Sequence, residues 1–546
     1  MNGIKKYAGA LLIGGFLLLH LVIMPSYGFT WDFHFHFFGG GHLLGFDWQE
    51  LESRALPYVE PDPRRAWSLP YGPIMSVPPV ASFMALHKWL GILPADSAYH
   101  LPIILWGTLG VIILYFFLKE AVNKQVALIG AIFLAVTPRY FGDMHNNMKD
   151  IPSSVVFALN MWLIWRLVTK KRLIDLLLAT SAFAVAFSVK INSVFIPMVF
   201  AVWYILTHIP FHKPTKIFSR DKLILLYWLI APIFAFFLWC AFWPNPLFQL
   251  EHAYRTFGIG TNNIEVLLNG SWYCSGSTVP WYYPFWYLGI TTPLPILVFC
   301  IISIVRIIKS AIQKTLKPIE LLLVCWLFVP LARYIFPQVG VIDGVRHFEE
   351  ALIPIAALAA LSFSDLIRFL AHKQKSMSIA LIIGIASWLV WNIVSYHPYQ
   401  ITYFNELVGG VRGAYGRYDL DYWGTSQKAA VLWVNKHAPK NAKVHIVMAA
   451  NVAGTYLRPD LLPNLNKFGY DESDFVIFLN RQSFFYRFFY SYEYLLVHKP
   501  VHTIEAQGTP LTWIFDNRTD NVIQKQSPWW QEEDPCIIKY WSSSTP

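Results

Sequence analysis

Asp32, His34 and His36 lie shortly after the first apolar segment of the chain, residues 8–24, and His42 follows a run of three glycines. A carboxylate can act as a general base, and imidazoles can bind a metal ion or move protons. Ionisable groups at a membrane boundary are costly unless they face a cavity or a polar partner, so Asp32 is a candidate functional residue. An aromatic interfacial belt with incidental polar residues is the alternative interpretation.

A second group of polar residues lies in the turn at residues 137–152. The turn includes Asp143, His145, Asn146, Lys149 and Asp150. A purely structural turn needs only a few Gly, Pro or Asn residues, so this composition favours a functional site. Asp150 is also well placed to cap the start of a helix before Pro152, and the two roles can coexist.

Two cations lie at the ends of later apolar segments. Lys190 lies between residues 173–189 and 191–208, and Arg346 lies in the turn 343–350. Both can bind a phosphate group, and Arg346 suits bidentate recognition of phosphate or carboxylate. Snorkelling of Lys190 to the interface and an ion pair between Arg346 and a neighbouring acid are equally good explanations.

The composition indicates a membrane protein. Hydrophobic residues make up 55% of the 546 residues and charged residues only 14%, which is far from the balance of a soluble domain. The net charge of +10 does not indicate a nucleic-acid-binding face, because the basic residues cluster in short alternate loops between apolar segments. Under the positive-inside rule these loops face the cytoplasm, so the N-terminus lies inside and the polar turns lie outside.

About eleven apolar segments approach the roughly 20 residues that a transmembrane helix needs. They are residues 8–26, 100–118, 126–138, 151–168, 173–189, 191–208, 222–243, 284–306, 318–336, 349–370 and 377–396. The first is too long for a signal peptide and lacks a small-residue cleavage site, so it is predicted to be a retained span. The predicted fold is therefore an α-helical polytopic membrane protein with about eleven transmembrane helices.

Two external regions complete the predicted organisation. The first outer loop, residues 27–99, has many prolines, which exclude one long helix. Its apolar part, residues 80–90, is too short to span and is predicted to form a juxtamembrane helix on the surface or a re-entrant segment. Residues 398–546 have a soluble composition, with one helix and three short buried strands. A transmembrane domain, residues 1–397, and a small C-terminal α/β domain, residues 398–546, are therefore expected.

The sequence lacks the motifs of several common kinds of enzyme. The chain has no nucleotide-binding glycine loop, no Gly-x-Ser-x-Gly elbow and no His-Glu-x-x-His zinc helix. Its five cysteines form no metal or disulfide pattern, although Cys274 and Cys536 both fall outside and could pair. An enzyme is favoured over a transporter, because the polar residues concentrate at the outer helix ends and no internal repeat is visible.

The outer motifs, in their order along the chain, resemble those of the polytopic GT-C glycosyltransferases that take sugar from a polyprenyl-phosphate carrier. The resemblance is to the protein O-mannosyltransferase and aminoarabinose transferase type, glycosyltransferase family 39. Any one motif is weak, but the order is specific. The motifs are Asp32 and residues 71–79, 138–152, 280–283, 343–348, 407–416 and 421–425.

The resemblance implies transfer of a hexose or a pentose to an acceptor outside the cytoplasm. Asp32 is then the general base that takes the acceptor's proton, and Asp150 positions the acceptor or assists Asp32. Cations are needed to stabilise the leaving phosphate. The expected substrate-binding residues are Lys190, Arg346, Lys149, His347, Tyr71 and Asn146.

One feature departs from the family pattern. Many relatives carry an adjacent Asp-Glu pair in the first outer loop, whereas here Phe33 follows Asp32. His34 or His36 can replace the second acid, as a metal ligand or as a hydrogen-bond partner of Asp32. A divalent metal cofactor therefore stays open.

The remaining expectations concern location and partners. A bacterial inner-membrane protein is expected, with a cytoplasmic N-terminus and a periplasmic or extracellular C-terminal domain. Its partners are the polyprenyl-phosphate-linked sugar, the bilayer and an acceptor that is a protein, a lipid or a polysaccharide, with no role for nucleic acid. A transporter or a non-catalytic scaffold for a lipid-linked substrate is the alternative function.

Overall fold

The computed structural model describes residues 2–46, 73–146, 148–208, 222–239, 243, 245–258, 262–336, 338–527 and 536. Within these ranges, seven helices are long and apolar enough to cross a membrane: Tyr7–Ser26, Ala95–Ala121, Asp150–Lys170, Leu294–Ile312, Pro318–Ile335, Arg346–Lys373 and Lys375–Ser395. Shorter apolar helices are Lys124–Ala135, Leu173–Val189, Ile191–Thr207 and Lys222–Leu238. The predicted helical membrane fold is confirmed, while the count of eleven spans stays a prediction.

The other α-helices of the described residues are short and lie between or after these segments. They are Phe33–Leu43, Pro73–Ser82, Pro138–Asp143, Pro246–Gly258, Tyr283–Thr291, Gly410–Ala414, Gln427–His437, Ala450–Ala453 and Phe489–Val497. The span predicted at residues 284–306 begins later than expected, at Leu294. Pro293 separates it from Tyr283–Thr291, because proline cannot donate a helical hydrogen bond and restricts the residue before it.

Two outer helices of the first loop pack closely on each other. A Cβ atom at Gly40, in helix Phe33–Leu43, would lie 2.1 Å from the backbone oxygen of Ser76 in helix Pro73–Ser82. Only glycine permits this approach. Asp32 directly precedes the first of these helices, so the packing fixes where its side chain lies.

The turn that contains Lys149 and Asp150 is held against helix Ala95–Ala121. The hydroxyl of Tyr140 donates a hydrogen bond to the backbone oxygen of Gly107 at 2.7 Å. A Cβ atom at Gly110 would lie 2.2 Å from the same hydroxyl oxygen, so the residue at this position of the helix must lack a side chain. Tyr140 is fully buried, and its contacts position the polar turn that follows it.

A hairpin of strands β1 (Glu265–Leu268) and β2 (Ser271–Cys274) precedes helix Tyr283–Thr291. Its two-residue turn consists of Asn269 and Gly270, which both have positive φ, as tight hairpin turns require. Cys274, the last residue of β2, forms a disulfide with Cys536. The pairing that the sequence left open is therefore present.

A four-stranded sheet forms the core of the C-terminal region. Strands β3 (Val444–Val447), β4 (Phe475–Leu479), β5 (His502–Ala506) and β6 (Thr509–Asp516) lie in the order β3-β4-β6-β5. Only the β3–β4 pair is parallel. Phe475 and Ile477 pack in the same apolar cluster as helix Gln427–His437, whereas Val476 and Phe478 pack in a cluster with Trp272, because alternate residues of a strand face opposite sides.

The disulfide yields a direct test. Peptide mapping of protein purified without reductant should recover Cys274 and Cys536 in one linked peptide, and the Cys536→Ser variant should lack it and unfold at a lower temperature. Cys300 and Cys325 are buried free thiols, so they serve as internal controls that alkylate only after denaturation. Quantitative alkylation of Cys274 in the native, unreduced protein would contradict the pairing.

Candidate active site

Asp32 faces a small cavity between three outer segments of the chain. Its side chain is 34% exposed. Two cations contact the same carboxylate oxygen, Lys149 through Nζ at 3.0 Å and Arg346 through Nη2 at 2.6 Å. The first outer loop and the turns at 137–152 and 343–350 therefore meet at Asp32. The cavity is lined by Thr30, Asp32, Phe33, His36, Tyr99, Asn146, Met148, Lys149 and Trp423.

Arg346 also contacts the second predicted acid, Asp150. The Nε atom of Arg346 lies 3.4 Å from Oδ2 of Asp150, and Nζ of Lys190 lies 2.5 Å from Oδ1. The Asp150 side chain is only 1% exposed, and a carboxylate at that depth requires such partners. Asp32 and Lys149 belong to the same network. The fold thus brings together five residues that the sequence predicted separately, namely Asp32, Lys149, Asp150, Lys190 and Arg346.

Two further contacts hold the Arg346 guanidinium, and the first is the ion pair with a neighbouring acid that the sequence offered as an alternative. Oδ2 of Asp343 accepts a hydrogen bond from Nη1 of Arg346 at 2.6 Å. The indole ring of Trp423 lies 4.2 Å from the guanidinium carbon, a favourable cation–π distance. Both residues belong to motifs of the family resemblance, but the sequence did not predict the contact with Trp423.

The two cations beside Asp32 hold the pKa of its carboxyl below the usual range. Burial by itself raises this pKa, but the charges of Lys149 and Arg346 lower it by more. Burial also lowers the pKa of His36 to about 3 and that of His34 to about 4. Near pH 7 the resting site therefore contains an ionised Asp32 and two neutral imidazoles.

His34 and His36 have different partners. Nδ1 of His34 lies 2.7 Å from the side-chain amide nitrogen of Asn451, whereas Nδ1 of His36 lies 3.4 Å from Oγ of Ser76. Among the described residues, no three His, Cys, Asp or Glu side chains are grouped so that they could hold a metal ion. Since Asp32 already contacts two cations, the side chains around it fit an anion better than a divalent metal.

The other predicted binding residues lie around this network. Asn146 lines the Asp32 cavity, and its backbone oxygen accepts a hydrogen bond from Thr30 at 2.9 Å. His347 follows Arg346, and its Nε2 atom is buried without a hydrogen-bond partner in the part of the chain that the structure describes. Tyr71 lies outside the described residues.

A second, fully buried group of charges interacts electrostatically with Asp150. Asp143 and Glu349 are each 1% exposed and Arg139 is 0% exposed. Burial raises the pKa of Asp143 more than the charge of Arg139 lowers it. The carboxylate oxygens of Asp143 and Glu349 have no hydrogen-bond partner among the described residues, so burial makes the charged form of these acids costly. The sequence marked Asp143 as part of the polar turn but did not predict this buried pair of acids.

Comparison with known families gives one match. Residues 76–239 match the family model described as "Dolichyl-phosphate-mannose-protein mannosyltransferase". The matched segment is less than half of the chain, and it contains Lys149, Asp150 and Lys190 but not Asp32 or Arg346. No curated protein matches the sequence.

Solved structures give a weaker likeness. ArnT from Cupriavidus metallidurans, bound to undecaprenyl phosphate, is 13% identical and aligns over 93% of this chain and 97% of its own, with a TM-score of 0.49. The archaeal oligosaccharyltransferase AglB from Archaeoglobus fulgidus, in complex with an inhibitory peptide and a dolichol-phosphate, is 12% identical. It aligns over 99% of this chain and 78% of its own, with a TM-score of 0.46.

The family match and the helical membrane fold agree with the resemblance that the outer motifs indicate. They confirm that this chain resembles the GT-C glycosyltransferases that use polyprenyl-phosphate-linked sugars.

Proposed function

We propose that this chain moves a sugar from a polyprenyl-phosphate carrier to an acceptor hydroxyl outside the cytoplasm, with Asp32 as the general base. The main support is the network in which Arg346 contacts both Asp32 and Asp150, while Lys149 and Lys190 each contact one of these acids. Such a network provides a proton acceptor directly beside groups that can bind a phosphate.

In the proposed reaction the acceptor hydroxyl attacks the anomeric carbon of the sugar. A bond forms between that carbon and the acceptor oxygen, the bond from the carbon to the phosphate oxygen breaks, and its electron pair stays on the phosphate. The hydroxyl proton passes to Asp32. Lys149, Lys190 and Arg346 stabilise the charge on the leaving phosphate, and Asp150 keeps Arg346 and Lys190 in place.

Donor binding should make Asp32 a stronger base. In the resting site Lys149 and Arg346 both contact Asp32 and lower its pKa. A bound phosphate competes for the same two cations, so their hold on Asp32 weakens and its pKa rises in the donor complex. The acceptor is therefore deprotonated efficiently only when the donor is in place.

The proposal includes an arrangement in the membrane. Residues 1–397 form the transmembrane catalytic domain and residues 398–546 an extracytoplasmic domain, with the N-terminus on the cytoplasmic side of a bacterial inner membrane. The disulfide between Cys274 and Cys536 supports an oxidising compartment on the side of the C-terminal region. The donor sugar is a hexose or a pentose, and the acceptor is a protein, a lipid or a polysaccharide.

Proteoliposomes test the function as a whole. Purified protein and a polyprenyl-phosphate sugar are combined with candidate acceptors of each class, and both donor consumption and donor movement across the membrane are measured. Consumption with release of polyprenyl phosphate supports the transferase. Movement of the intact donor without consumption would support a transporter instead.

The Asp32→Asn variant should fold but lose transfer. Because a positioned general base contributes about 10²–10⁴-fold, we expect kcat to fall by a factor in that range. Asp365→Asn is the matched control, since Asp365 is 43% exposed and pairs with Arg306 and Arg368 away from the site. Wild-type kcat in Asp32→Asn, with thermal unfolding also unchanged, would contradict the assignment of the base.

The pH dependence should differ between the free protein and the donor complex. Activity is lost as the pH falls through the pKa of Asp32, because the base becomes protonated. This pKa is lowered in the free protein and rises in the donor complex, so the acidic limb of kcat should lie at higher pH than that of kcat/KM. Coincident limbs, or a limb of kcat at lower pH, would contradict activation by the donor.

A further inference from the structure

Arg481 connects the C-terminal sheet to the charged network at Asp32. It lies two residues after strand β4 and is 5% exposed. Its Nη2 atom lies 2.7 Å from Oδ1 of Asp343, and its Nη1 atom donates a hydrogen bond to the backbone oxygen of Tyr422 at 3.1 Å. A buried guanidinium with a carboxylate partner in another part of the fold has a fixed orientation.

Asp343 transmits this contact to Arg346. One of its carboxylate oxygens contacts Arg481 and the other contacts Arg346 at 2.6 Å. Arg346 in turn uses Nη2 for Asp32 and Nε for Asp150. Positive and negative groups thus alternate from Arg481 to Asp32, and each carboxylate is held between cations.

Arg481 also contacts the other side of the site, next to Asp32 in the chain. Its guanidinium carbon lies 3.6 Å from the ring of Phe484 and 5.1 Å from the ring of Trp31. The backbone nitrogen of Trp31 donates a hydrogen bond to the backbone oxygen of Trp423 at 3.0 Å. The C-terminal region therefore contacts both the segment that presents Asp32 and the turn that presents Arg346.

A neighbouring arginine shows what a purely structural contact looks like. Arg487 binds Glu265 of strand β1 at 2.7 Å and is 41% exposed. It joins the C-terminal region to the hairpin and also lies 4.9 Å from the ring of Phe484, but its carboxylate partner is Glu265 and not Asp343. Arg481 differs, because its carboxylate partner is itself a partner of Arg346.

We propose that Arg481 is a positioning residue for the transfer reaction. Through Asp343 it fixes the Arg346 guanidinium in the orientation that contacts Asp32 and Asp150, and through Trp31 it supports the segment that presents Asp32. The C-terminal region is then part of the catalytic machinery and not only an attached domain. This inference rests on the proposed function.

The test combines Arg481→Gln, Arg346→Gln and the double variant, with Arg487→Gln as the matched control. Loss of Arg481 should lower kcat about 10–100-fold, because small displacements of a catalytic group are costly. The effects should not add, because both residues act through one contact chain: the double variant should bind polyprenyl phosphate and transfer sugar as Arg346→Gln does, within about twofold. Arg487→Gln should keep wild-type kcat.

Two further readouts separate positioning from loss of folding. Arg481→Gln removes a positive charge near Asp32, which raises the pKa of that carboxyl and should move the acidic limb of kcat/KM to higher pH. The groups that then face Asp32 are Lys149, His36 and a displaced Arg346. Arg481→Lys keeps the charge, so it should retain more of kcat than Arg481→Gln and should show little of the pH shift. Neither change is expected from a general loss of stability, which lowers the amount of active protein without altering the pH profile.

The outcomes distinguish this inference from the proposed function. A wild-type chain that neither binds polyprenyl phosphate nor consumes the donor overturns the proposed function, and this inference with it. Wild-type activity together with an unaffected Arg481→Gln variant overturns the inference alone. Additive losses in the double variant also overturn it, because Arg481 would then act independently of Arg346.

Discussion

The contact of one guanidinium, that of Arg346, with three carboxylates is the interaction on which the site depends. Asp32, Asp150 and Asp343 come from three different segments, and each contacts a different nitrogen of Arg346. Taking such groups out of water costs several kcal/mol per ion, and this cost is offset only when every charge has well-placed partners. Removing Arg346 would leave acids without their common partner, so the geometry of the site and its stability have the same origin.

The fold class could be predicted from the sequence because a bilayer imposes a simple requirement. Each span needs a long apolar segment, and the seven long apolar helices agree with predicted segments. Details that depend on single residues were less accessible. The span after Pro293 begins later than the apolar segment does, and strand β5 was missed because most of its residues are not buried and show no apolar pattern.

The charged residues of the site could be found because charge is rare beside apolar segments and therefore informative. Asp32, Lys190 and Arg346 were all recognised in this way. Their pairing could not be predicted, because Lys190 and Asp150 lie 40 positions apart in the sequence and Arg346 and Asp32 lie 314 positions apart. Arg481 was missed for the opposite reason: it lies in ordinary soluble sequence, where an arginine carries no special signal.

The charges of the network fit the proposed reaction before and after transfer. Arg481, Arg346, Lys149 and Lys190 are cationic, and Asp343, Asp32 and Asp150 are anionic, so these seven side chains carry one net positive charge. A phosphodiester donor carries one negative charge, which matches it. When Asp32 takes the acceptor's proton the network gains one positive charge, while the departing phosphate monoester approaches two negative charges near pH 7. Proton transfer to Asp32 therefore keeps the phosphate and its binding groups matched at the moment the glycosidic bond to phosphate breaks, which is where electrostatic stabilisation contributes most to the rate.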